Sequence, residues 1–409
     1  MTVEKICFLV NYNLYESKRH FTQKLAEALN QQDVETLIID LKEEPFGTDT
    51  AAAIHNFSPD LTASFNSIPP LPSGKFLWDI LKIPHLSLLV DSAMYSLDLI
   101  KSPYSIVSCV DKFECQTFID KGFEKTFFLP HATDSNIEAN TGERPYDVVF
   151  IGSCYDFESV RASWKEKFSL QLENVLLVAT KIVLSDSFTP INMALQTALK
   201  QAQITVNESD FQKLFYDLDI YIRGLDRVSL IRSITDTAVT VYGDIMTDDD
   251  RFQNDWRYYF SDKPNITVHA GVPFSTSLEI LQLSKICLNS VPSFKNGSHE
   301  RIFNSFACGA LPISSPSIYL QESFVTDKEI AFYQFGKWKE INSTLDHYLF
   351  HETERLKAVQ AGRAKVMQQH TWDARAKTLL EVLDSANQLI AAWQKVWQSN
   401  IPRSYTTDL

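Results

Sequence analysis

Residues 292–310 hold the densest set of groups able to handle an anion. Lys295, Asn296, Gly297, Ser298, His299, Glu300 and Arg301 stand together, and Ile302, Phe303, Phe306 and Ala307 follow at helical spacing before Gly309. A polar loop feeding a helix aims the free amides of the first turn, and the positive end of the helix dipole, at whatever lies in front of it. Ser298 is the expected N-cap and Gly309 the left-handed stop. Gly297 would allow close backbone approach to a ligand, while Lys295 or Arg301 would add charge-assisted bonds to a diphosphate. Glu300 is either a hydroxyl ligand or a first-turn acid favourable to the dipole.

Other groups of interest end apolar runs, because ligands of open parallel sheets bind outside the carboxyl ends of the strands. Runs at 6–10, 34–40, 86–90, 106–110 and 126–129 read as buried parallel strands, and residues 17–31 form a helix with Phe21, Leu25 and Leu29 on one face. This places Asn11, Tyr12, Asp91, Asp111 and His131 at one edge. Asp91 is the first candidate for a general base, with partial burial expected to raise its pKa. It is equally able to cap the next turn, as is Ser92. His131 is the second candidate base.

A turn-rich linker at 133–145 precedes a second sheet pattern, which begins at 147–151 and ends in Gly152 and Ser153. Residues 157–234 are helix-compatible, with 175–183 open to strand or helix. Strands return at 238–242, followed by Gly243, and at 266–269, 286–289 and 311–314. A long helix over 373–397 is capped by Thr371 or Asp373. The expected fold class is α/β, with two Rossmann-like domains facing a cleft, over 1–135 and 136–372. The second carries a helical insertion at 157–234, and residues 373–409 pack back towards the first.

The net charge of -13 disfavours nucleic acid as a partner. No apolar run approaches the roughly 20 residues of a membrane span, and the start lacks a secretory pattern, so a cytoplasmic location is expected. Six cysteines scattered through apolar segments read as reduced core thiols.

The run from Asn296 through Glu300-Arg301 and Ala307-Cys308-Gly309 to Ser314 resembles the CgeB-like glycosyltransferases of the wider GT-B group. Residues 146–153, 128–134 and 371–375 add to the resemblance. It implies transfer of a sugar from a nucleotide-diphosphate donor, used as co-substrate with no permanently bound cofactor and no metal. The donor would be held by the second domain, at Gly152, Ser153, Arg161, Tyr242, Gly243, the loop 295–301 and Asn304. The acceptor, a protein or surface glycan, would approach from the first domain near Asn11 and Tyr12. Asn304 stands where the family pattern has a glutamate for the ribose or sugar hydroxyls, which makes Glu300 the better carboxylate. The run of aspartates at 248–250 reads as a solvated loop. Two other readings are a nucleotide-sugar epimerase and a non-catalytic carbohydrate-binding or assembly protein, and a homo-oligomer is compatible with all three.

Overall fold

The computed structural model describes residues 3–11, 14–43, 46–245 and 255–399, with side chains described as far as 385. Two six-stranded sheets, each wholly parallel, are stacked along the chain. The first contains β1 (Lys5–Val10), β2 (Glu35–Asp40), β3 (Leu61–Phe65), β4 (His85–Leu89), β5 (Ser105–Cys109) and β6 (Thr126–Phe128) in the order β2-β1-β3-β4-β5-β6. The second contains β7 (Tyr146–Ile151), β8 (Val239–Gly243), β9 (Ile266–Ala270), β10 (Ser284–Asn289), β11 (Leu311–Ser314) and β12 (Ala331–Phe332) in the order β12-β11-β10-β7-β8-β9. Strand order reverses between β1 and β3 in the first sheet and between β7 and β10 in the second. Such switch points open a crevice at the carboxyl ends.

β3 escapes the sequence pattern because Thr62 and Ser64 interrupt its apolar run. Burial is tolerated there because His85 satisfies both hydroxyls, with Nδ1 2.9 Å from Thr62 Oγ1 and Nε2 3.0 Å from Ser64 Oγ. Trp78 stacks on that ring at 3.8 Å. The ambiguous stretch 175–183 lies within a helix, Leu170–Ser185. It is one of four insert helices between β7 and β8, the last being the 25-residue Glu208–Arg232.

The final helix, Trp372–Ser399, is capped by Thr371, whose Oγ1 accepts the Ala374 amide. Its residues Trp372, Ala376, Leu379 and Leu383 complete the first sheet's core with Ile6, Phe8, Phe21 and Leu25. The chain thus crosses back to the half where it began. No described helix is long and apolar enough to cross a membrane.

The carboxyl ends of the two sheets face each other. Tyr15, after β1, bonds Asp244, after β8. Tyr95, after β4, bonds Asp219 of the long insert helix. Asp111, after β5, lies opposite Gly297, after β10.

Candidate active site

The anion-loop segment folds into the expected helix, Glu300–Cys308, and Gly309 ends it at φ 84°. What lies in front of that helix is the first half of the protein. Asn296 N donates to Asp111 Oδ2 at 2.6 Å, Lys112 N donates to Asn296 O at 3.0 Å, and Ser298 N donates to Val110 O at 3.2 Å. A Cβ on Gly297 would sit 2.3 Å from the Val110 carbonyl, so the close approach this glycine permits is to protein backbone. Lys295 is buried to 2% exposure with its ammonium 4.4 Å from the Phe335 ring centroid. Burial pushes it down to about 8 against the pull of Asp226, Asp186 and Asp111. Asn296, Gly297 and Ser298 thus lie in a seam between the two halves, and Lys295 is buried mainly within the second half, beside Phe335 and in the field of Asp226 and Asp186, with Asp111 opposite.

Ser298 does not cap the helix; His299 occupies the N-cap position. The Ser298 hydroxyl accepts the His131 amide at 3.3 Å and its carbonyl lies 2.9 Å from His131 Nδ1, so Nδ1 carries the proton. His131 is buried, which lowers its pKa despite Glu300, whose Oε2 is 3.6 Å from Nε2. His299 Nδ1 lies 2.6 Å from Glu300 Oε2 and 3.4 Å from the Arg301 amide. It cannot donate to one and accept from the other, and the shorter contact decides: Nδ1–H donates to Glu300, and Nε2 accepts from Arg301 Nη2 at 2.9 Å. Burial, then Arg301, hold His299 down to about 3. Burial disfavours the Glu300 carboxylate, but His299, His131 and Arg301 outweigh it and hold the group below the usual range. Glu300 is thus an ionised acid that orients the Arg301 guanidinium through a neutral imidazole.

Arg301 leads to the second switch point. Its Nη1 donates to Ile151 O at 2.6 Å and lies 3.0 Å from where a Gly152 Cβ would be. Two further guanidiniums reach the same loop from the long insert helix. Arg223 lies 4.5 Å from the Tyr155 ring centroid and Arg227 4.9 Å from it, while Arg227 Nη1 donates to Ser153 O at 2.7 Å. Gly224 lets this helix approach, since a Cβ there would be 2.6 Å from the Tyr155 carbonyl. Arg227 is 4% exposed, and its Nε has no hydrogen-bond partner. Burial lowers it to about 10, with Arg223 and Arg301 adding to the effect against Tyr155 and Asp226. Arg223 holds its proton firmly: burial opposes the charge, but Tyr155, Asp219 and Asp91 outweigh it. Three cations thus converge on one strand end; carboxylates stand by each, Asp219 beside Arg223 at 3.4 Å among them, yet Arg227 keeps a buried N–H without a partner.

Residues 227–381 match the family model described as glycosyl transferase-like. No curated protein sequence matches the chain. Among solved structures, the chain is similar to a glycosyltransferase from Rickettsia africae (TM-score 0.55, 13% identity, 93% of this chain and 97% of that one). It is also similar to a sucrose-phosphate synthase from Thermosynechococcus elongatus (0.57, 12%, 95% and 100%). A third similar structure is Anabaena HepE in complex with UDP-glucose (0.57, 10%, 93% and 99%). The fold is GT-B.

Within the GT-B cleft, Gly152, Ser153 and Arg301 meet at the arginine cluster. Arg161 does not join them: it pairs with Glu173 at 2.9 Å and lies 4.9 Å from the Trp164 ring centroid, both inside the helical insertion. Asn304 is 3% exposed and its Oδ1 accepts the Thr133 hydroxyl at 2.6 Å, so it too belongs to the seam. Tyr242 bonds the Tyr146 hydroxyl and stacks on His269, and Gly243 is close-packed on the Gly152 carbonyl and the Trp256 indole. Asp91 is exposed and not partly buried as expected; Asn66 Nδ2 holds its Oδ2 at 2.7 Å, and Ser92 caps the following turn. Asn11 is half-buried after β1, whereas Tyr12 and residues 248–250 lie outside the described residues.

Sequence reasoning missed Arg223, Arg227, Tyr95 and Tyr155. A signal was present: Gln212, Tyr216, Asp219, Arg223 and Arg227 recur every three or four residues along one face of the helix. Without the sheets, nothing distinguishes such a stripe from a solvated face.

Proposed function

We propose that the protein is a glycosyltransferase, with residues 136–372 binding a nucleoside-diphosphate sugar and residues 1–135 presenting the acceptor. The observation carrying this reading is the arginine cluster at the β7/β10 switch point, where Arg227 is buried with an unpartnered N–H. A diphosphate there would accept bonds from Arg223, Arg227 and Arg301 and relieve their mutual repulsion. The same cations favour the leaving group more as the glycosidic bond breaks, because charge grows on the diphosphate. The family-model match begins at Arg227, and HepE of the same fold was solved with UDP-glucose, UDP and glucose. A closer kinship with CgeB-like transferases rests on the segment 296–314.

In the reaction, the bond between the sugar's anomeric carbon and the diphosphate oxygen breaks, and its electron pair leaves with the diphosphate. The acceptor oxygen bonds the same carbon and yields its proton to a base. Asp91 fits the base best: it is an exposed carboxylate at the end of β4, held by Asn66, and within the electrostatic surroundings of Arg223 and His131. His131, buried with its Nδ1–H engaged, is a positioning residue that fixes Ser298 and the start of the Glu300–Cys308 helix.

Titration calorimetry with UDP, GDP, ADP, CDP and dTDP tests this reading. One nucleotide should bind selectively, and Arg227→Ala should weaken it. Absence of binding by all five, in a protein shown to be folded, overturns it.

A further inference from the structure

The long insert helix borders two places. Its C-terminal half carries the arginines, and its N-terminal half walls a separate groove of about 370 Å³ against the loop after β4. Tyr95, Asp98, Ser209, Gln212, Lys213 and Tyr216 line it. Two tyrosines are displayed there: Tyr95 is 40% exposed and Tyr216 45%, with ring centroids 6.0 Å apart and planes at 80°. Phe215 backs Tyr95 edge-on at 5.9 Å. Around these rings stand a carboxylate, an amide, a hydroxyl and an ammonium.

We propose that this groove is a saccharide subsite for the acceptor, so that the insertion of the second half, and not only the first half, selects what is glycosylated. The inference rests on the transferase reading. A pyranose ring offers an apolar C–H face and a rim of hydroxyls. Two exposed tyrosine faces with interleaved donors and acceptors match both at once. A peptide fits less well, because the groove offers neither an open strand edge nor a broad apolar surface.

The groove is also wired to the donor side. The Tyr95 hydroxyl donates to Asp219 Oδ2 at 2.5 Å, and the Ser293 hydroxyl, from the loop after β10, donates to Asp219 Oδ1 at 2.7 Å. Arg223 Nη1 lies 3.4 Å from the same carboxylate. Tyr216 and Arg223 share one stripe seven residues apart, about 10 Å along the helix axis. Asp219, itself 1% exposed, lies between the two, so a saccharide seated on the tyrosines would act on the arginine cluster through this carboxylate.

The test uses the full chain and saturation-transfer NMR with maltose, cellobiose, lactose, N,N′-diacetylchitobiose and an unglycosylated Gly-Ser-Thr peptide. At least one disaccharide should bind the wild type. Tyr216→Ala should weaken it about tenfold, Tyr216→Phe should retain it, and Phe350→Ala, at an exposed aromatic on the helix Ile341–Phe350, should leave it unchanged. Unchanged melting temperatures would confirm that the variants fold. Disaccharide binding indifferent to Tyr216→Ala, no binding of any disaccharide, or binding of the peptide alone overturns the proposal. Calorimetry with the five nucleotides on the wild type separates the two claims. Disaccharide binding lost in Tyr216→Ala without any nucleotide binding overturns the transferase reading, and the acceptor role with it. Nucleotide binding without disaccharide binding overturns only the subsite.

Discussion

The loop 293–298 and the stripe Arg223–Arg227 each bring positive charge and a glycine to the cleft, yet they end differently satisfied. Around the loop, the first half meets the backbone, with Val110 and Asp111 accepting its amides and Lys112 donating to its carbonyl, while Lys295 lies in the field of Asp226 and Asp186 of its own half and of Asp111. Around the stripe, the neighbours of Arg227 include two more guanidiniums, and one N–H remains unmatched. A positive group marks a ligand site only when the fold withholds its compensation. What the surrounding fold offers decides this, not the charge itself.

The sharpest way to break the comparison is to remove a cation from each side. Arg227→Ala is expected to cost about 1.5–3 kcal/mol of nucleoside-diphosphate affinity, the worth of a charge-assisted bond, or roughly tenfold to a hundredfold in Kd. Lys295→Ala should lower the melting temperature and leave that affinity within about twofold. Equal losses in calorimetry would erase the distinction. Gly297→Ala comes next: its Cβ must displace the Val110 carbonyl, so about 1–3 kcal/mol of stability should be lost in urea unfolding.

A third test concerns pH. Glu114, buried beside Asp111 and bonded to Ser92 and the Ala93 amide, is pushed up from 4.5 to about 8, chiefly by burial and then by Asp111. The folded state holds this proton where the unfolded state has released it. The contribution is therefore full below about 4.5 and fades as pH rises through about 8. Glu114→Gln should flatten that decline and raise the melting temperature at pH 8 relative to wild type. A wild-type melting temperature that climbs steadily from pH 5 to pH 8, with the same slope in the variant, would contradict it. The smallest effect is expected at Arg161→Ala. Its partner Glu173 is largely buried, 10% exposed against 28% for Arg161, so some stability should be lost, but the pair lies inside the insertion and nucleotide affinity should not move.

Much of the architecture was legible beforehand, because fully buried parallel strands leave an unmistakable apolar run: β1, β5 and β10 fall within a residue or two of their expected places. β3 did not announce itself, since its Thr62 and Ser64 look like loop until His85 is seen to satisfy them. In the site, Gly152, Ser153 and Arg301 were readable as strand-end and helix-start residues. The surroundings of Asn296 and Gly297 were not readable, because Asp111 and the Val110 carbonyl, which meet them, lie more than 180 residues away.

By itself the sequence determined the two α/β halves, the place of the insertion, the closing helix and the helix that begins at Glu300. Those depend on local periodicity and capping, interactions within a few residues of one another. Only the tertiary structure decided which cation keeps an unmatched N–H and which carboxylates, Asp219 and Glu300 among them, are used up in holding other groups. Burial and compensation are set by whatever segment arrives from elsewhere in the chain, and no short-range pattern records that arrival.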